Sequence, residues 1–177
     1  MALLGYVEED NRILWKCVGS LISETFVLTS ARCTKPRLLG RLKYVQLGQQ
    51  GINSNFTDAK SQNFVVKATY VHPDFQYLSV NNDLGLIELG KPAEFTEFVS
   101  PACLPVNQNI ENIQLEATGY GLLQSYEKLD SNRLQVNPGE NCKEVYEPSI
   151  QNNQLLCTEI TPAEDGRCYV RFIEVKK

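Results

Sequence analysis

Short apolar runs recur along the chain, separated by Gly, Pro, Asn, Asp and Ser. SLISETFVLTS, KYVQLG, NFVVKATYVH, LGLIELG, IQLEATGYG and NRLQV are the clearest, rich in Val, Ile, Leu, Tyr and Phe. Turn residues fall roughly every 8 to 12 positions, a rhythm that predicts many short strands and an all-β sandwich or barrel. GENCKEVYE is the one segment whose pattern suits a short helix, opening near Gly139 and closing before Pro148. GQQGINSNFTDAKSQN is polar and reads as an exposed loop, and CLPVNQNIEN reads as a connector between two β-rich halves. LTSARC reads as the end of a buried strand with one long cation, Arg32, set just before a cysteine. No fixed-period repeat or low-complexity tract interrupts this order.

Composition narrows the classes. The 177 residues are 42% hydrophobic, enough for one substantial domain or two small ones. Net charge is −4, and Lys and Arg are scattered singly rather than gathered in a basic stripe, which argues against a nucleic-acid partner. The longest apolar runs are far too short to cross a bilayer as a helix, so no membrane role is expected. MALLGYVEED lacks the basic and long apolar regions of a signal peptide. Six cysteines at irregular spacing, with no CxxC pair and one histidine, point to disulfides and not to a zinc site. Disulfides imply an oxidising compartment, hence secretion, with the leader absent from this chain. Asn55-Phe56-Thr57 is the only N-x-S/T sequon and makes Asn55 a candidate glycosylation acceptor on the polar loop.

The chemistry comes from motifs in series. WKCVGSLISETFVLTSARC, KYVQLG, YVHPDFQ, NNDLGLIEL, PACLP and EATGYG, followed by SNRLQV and ENCKEVY, resemble the trypsin/chymotrypsin-like serine proteases in order and spacing. The resemblance runs from residue 1 to about 168, and the opening is most similar to catalytic domains of secreted, clip-domain-type cascade proteases. It implies two antiparallel six-stranded β-barrels with the active site in the cleft between them. It also implies a domain plan: an N-terminal barrel over 1–105, a partial C-terminal barrel over 106–168, and a non-family tail over 169–177. No cofactor and no metal are implied.

In that family a Ser attacks the scissile carbonyl, a His takes its proton, a buried Asp orients the His, and backbone N–H groups stabilise the oxyanion. Carried onto this sequence, NNDLGL supplies Asp83 as the family Asp, and LTSARC supplies Arg32 where the family has His. An arginine stays protonated and cannot serve as general base. Arg32 is instead expected to form a charge-assisted pair with Asp83, the alternative being a guanidinium directed at solvent. His72 lies in YVHPDF, a context family members carry away from the catalytic cleft. After EDGR and Cys168 the family's Gly-Asp-Ser-Gly does not follow, so no nucleophile is assigned. The chain therefore reads as truncated at both ends, without an activation segment and with a second barrel keeping about half its strands.

The resemblance also pairs cysteines. It joins Cys17 to Cys33 and Cys142 to Cys157, and leaves Cys103 and Cys168 unpaired; a Cys103–Cys168 bridge stays open without family support. The first pair closes a loop of about 15 residues, worth roughly 3 kcal/mol in the chain-entropy account. Three functional classes follow. One is a catalytically inactive homologue that binds extracellular proteases or their substrates. The second is a truncated copy of an active serine endopeptidase, and the third a structural secreted protein.

Overall fold

Alternation of inward and outward side chains builds the N-terminal half. The structure is a computed structural model that describes residues 1–36, 39–49, 60–79 and 81–104 in full, and only the backbone of 115–120, 129–136 and 158–159. Six strands come first: β1 (Ala2–Val7), β2 (Ile13–Leu21), β3 (Phe26–Thr29), β4 (Arg41–Leu47), β5 (Gln62–Val71) and β6 (Gly85–Leu89). They pair antiparallel in the order β1-β2-β3-β6-β5-β4 and close on themselves as a barrel. Closure removes every sheet edge, so each strand finds both its hydrogen-bonding neighbours inside the barrel. The core is the inward set, including Ala2, Leu4 and Tyr6 of β1, Val27 of β3, Val45 and Leu47 of β4, Phe64 of β5, and Ile87 and Leu89 of β6. Each large aliphatic side chain so buried contributes about 1.5–3 kcal/mol.

Three details correct the expectations. The first barrel has all six strands and is closed, where the sequence promised most of them. The strand that completes it is β1, in the ALLGYV stretch, which no turn signal announces. SLISETFVLTS is not one strand but a hairpin: Ser23 Oγ accepts from the N–H groups of Thr25 (3.3 Å) and Phe26 (3.1 Å) and turns the chain between β2 and β3. LTSARC ends as a strand at Thr29 and continues as a one-turn helix α1 (Ala31–Thr34), capped by Ser30, whose Oγ accepts from the Cys33 N–H.

Two close approaches position α1. Gly85 opens β6 beside it, and a Cβ there would lie 2.6 Å from Thr34 Cγ2 and 3.1 Å from the Ser30 carbonyl oxygen. The absent side chain lets the helix rest on the strand. From the barrel interior, the Tyr6 hydroxyl donates a 2.6 Å hydrogen bond to the Cys33 carbonyl. Burial pushes the Tyr6 phenol far above its ordinary pKa, so it stays a donor at any ordinary pH.

The C-terminal half contributes, among the described residues, a three-stranded antiparallel sheet in the order β7 (Leu115–Tyr120), β8 (Leu129–Val136) and β9 (Thr158–Glu159). This matches strands read from IQLEATGYG and NRLQV. The helix expected at GENCKEVYE lies outside the described residues, as does most of the polar loop around Asn55.

Tyr6→Phe keeps the ring but removes the donor and leaves the Cys33 carbonyl buried without it. We expect a loss of about 1–2 kcal/mol, read as a lowered denaturation midpoint at unchanged m-value.

Candidate functional site

Arg32 and Asp83, 51 positions apart, meet where α1 touches the start of β6. Asp83 uses both carboxylate oxygens on one residue. Oδ1 accepts from the backbone N–H of Arg32 at 3.0 Å, and Oδ2 lies 3.2 Å from the Arg32 Nη1. The first contact satisfies one of the N–H groups left free in the opening turn of a helix. The second is a charge-assisted pair between side chains that are partly open to solvent, 37% exposed for Arg32 and 20% for Asp83.

The guanidinium reaches further. Its Nη2 donates to the Ser79 carbonyl oxygen, and Cζ stands 6.0 Å from the centroid of the Phe75 ring. Arg32 thus ties α1 to the segment that runs from the end of β5 to the start of β6. Asn82, just before Asp83, holds a positive φ of 55°, a conformation Asn tolerates better than most residues. The Ser79 contact could not be read from sequence, since any residue type supplies a carbonyl there. Phe75 offered only its place in YVHPDF as a signal.

Cys17 of β2 and Cys33 of α1 are bonded, with Cα atoms 6.0 Å apart. The His72 ring is taken up locally: Nδ1 accepts from the Asp74 N–H at 3.2 Å. Cys103 is a free, exposed thiol. Cys142, Cys157, Cys168 and Asn55 lie outside the described residues. Among the described residues no cluster of His, Cys, Asp and Glu has the grouping to hold a metal ion.

Chemically, the Arg32–Asp83 pair is a neutralised contact, not a proton relay. The guanidinium has no lone pair to offer and the carboxylate is already committed.

The class of protein is set by the closed antiparallel barrel and its disulfide-anchored one-turn helix: an all-β barrel protein. Comparison with known proteins supplies the family. The family model described as Trypsin matches residues 6–169. Venom serine protease Bi-VSP of Bombus ignitus is 31% identical over 163 residues, covering 87% of this chain and 42% of that protein. CLIP domain-containing serine protease B15 of Anopheles gambiae is 28% identical over 162 residues, covering 82% of this chain and 44% of its own length. A solved structure described as that of GrC superposes with a TM-score of 0.75 at 22% identity, over 96% of this chain and 78% of that one. The chain belongs to the trypsin family. It spans less than half the length of these two curated relatives.

Arg32→Ala removes the bridge to Asp83 and Ser79 but keeps the backbone N–H contact to Asp83. Because the pair is partly solvent-exposed, the expected loss is small, about 1 kcal/mol. Amide hydrogen exchange in residues 79–83 should speed up while exchange in β1 and β4 is unchanged.

Proposed function

We propose that this chain is a catalytically inactive trypsin-family homologue that acts by binding proteins in an extracellular proteolytic cascade. The carrying observation is Arg32. In the family's motif order it holds the general base's place, and it is locked onto Asp83, the residue in the family Asp's place. A base must have an accessible neutral form near working pH, which a guanidinium lacks. The same 177 residues contain no Gly-Asp-Ser-Gly run.

Binding is the activity left to a scaffold whose barrel is intact. The Cys17–Cys33 bond supports an oxidising, extracellular setting, as does a relative named as a venom protease. The partners we propose are extracellular proteases or their protein substrates. The domain plan proposed with this reading keeps the first barrel within 1–105 and a partial second barrel within 106–168. Asn55 remains the proposed glycan site, Cys142 and Cys157 a proposed second disulfide, and Cys168 a proposed unpaired cysteine like Cys103.

The test has two arms. Purified chain is given a general peptide ester substrate, and we expect no turnover above background from the chain or from Arg32→His. Turnover that a serine-directed phosphonylating reagent abolishes overturns the inactivity. The chain is then added to an active trypsin-family protease cleaving a protein substrate. A dose-dependent change in cleavage is expected, and none at any concentration sinks the binding role.

A further inference from the structure

The outer face of β1, β2 and β4 carries a feature that the Arg32 site does not explain. Directly opposed residues on neighbouring strands share a face. Tyr6 points into the core, so Gly5 and Val7 belong to the outer side. Gly5 stands opposite Trp15 on β2 and Tyr44 on β4, and Val7 opposite Ile13 and Arg41. Two cross-strand rows result: Trp15–Gly5–Tyr44 and Ile13–Val7–Arg41.

Glycine shapes the first row. A Cβ on Gly5 would lie 2.8 Å from Trp15 Cζ3, 3.1 Å from Cη2 and 3.2 Å from Ile13 Cγ2. The missing side chain leaves room for the outer edge of the indole, whose Cζ3 and Cη2 lie nearest to where a Cβ on Gly5 would be. Trp15 and Tyr44 are half-buried, and Ile13 is 44% exposed.

Cations frame this surface. The β1–β2 register shifts between Leu4 and Gly5, leaving Lys16 as the extra residue of β2. The β1–β4 register shifts between Gly5 and Tyr6, leaving Lys43 as the extra residue of β4. Both lysines and Arg41 are exposed, and among the described residues none of the three is in an ion pair. Lys43 Nζ sits 5.4 Å from the Tyr44 ring centroid. At the β1–β2 turn the charge is opposite: Glu8 and Asp10 are both bonded to Arg12, and Glu9 is exposed. The face is thus polar along its length, acidic at the turn and basic across the bulges.

We propose that this face is a docking platform for an acidic segment of another protein that bears an aromatic or aliphatic anchor. Three cations without an ion pair among the described residues, in a chain of net charge −4, select a locally anionic partner. The half-buried indole, with Ile13 and Val7 on the same face, offers the apolar contact that a uniformly charged polyanion would not use. The acidic turn sets direction, keeping the partner's carboxylates over Lys16 and Lys43. The proposal deepens the binding reading by naming its surface and partner chemistry; it does not depend on the loss of catalysis.

Trp15 is the only tryptophan, so intrinsic fluorescence of the full chain reports on this face directly. The probes are a short synthetic peptide of Asp and Glu around a central Phe, its Asn/Gln counterpart, and a sulfated polysaccharide. We expect a saturable change in Trp15 emission with the acidic peptide alone. Raising salt from low to physiological should weaken it, and Lys16→Glu/Lys43→Glu should weaken it about tenfold or more. Lys91→Glu, a single charge reversal on another part of the barrel, should shift affinity far less. Far-UV circular dichroism confirms that each variant folds. No saturable change, equal response to the Asn/Gln peptide, or equal loss in Lys91→Glu overturns the proposal. A response to the polysaccharide without one to the acidic peptide overturns the partner class. If the platform is silent while the chain still alters cleavage by an active relative, the binding reading stands and this surface is the wrong one.

Discussion

The bond between Cys17 and Cys33 is the constraint on which the arrangement of the site depends. It fixes a single helical turn, too short to be stable alone, against a strand on the far side of a hairpin. The Tyr6 hydroxyl adds a second anchor to the Cys33 carbonyl from inside the core. Gly85 supplies the third condition, a strand surface low enough for α1 to rest on. With these in place, residue 32 has little choice of neighbours. Its backbone N–H and its side chain both arrive at Asp83, and what the residue can do there depends on its chemistry alone.

Residue type at this position can therefore vary in chemistry while the fold around it stays the same. An arginine in this position satisfies what the structure asks of it. It partners a carboxylate, reaches the Ser79 carbonyl and covers part of Phe75. In the reading proposed above, the requirement it does not meet is kinetic, the capacity to take up and release a proton. Stability selects for a partner to Asp83, and catalysis selects for a titratable one; the two demands separate at this residue.

Much of this was legible in the sequence. The family motifs gave the all-β barrel class, the Cys17–Cys33 pairing, and the meeting of two residues far apart in the chain. Strands β4, β5 and β6 fell where alternating β-branched and aromatic residues predicted them. β1 is not legible there, because ALLGYV is buried almost throughout and carries no alternation to read. The one-turn helix leaves no pattern because four residues hold too little periodicity, although Ser30 is a fitting cap. The Ser79 contact and the platform around Gly5 were out of reach for another reason. The first uses a backbone group, and the second depends on register shifts, which single-sequence patterns do not encode.

Gly5 sits at both of those shifts, one against each neighbouring strand. Bulges and glycines are the corners at which a flat sheet is bent until it can close. Gly5 therefore serves the curvature of the barrel, and the room it leaves for Trp15 comes from the same missing side chain. A larger residue there would meet the side chains of Trp15 and Ile13 and displace the indole. The surrounding charges can be exchanged one at a time, whereas any side chain at Gly5 disturbs Trp15 and Ile13 together.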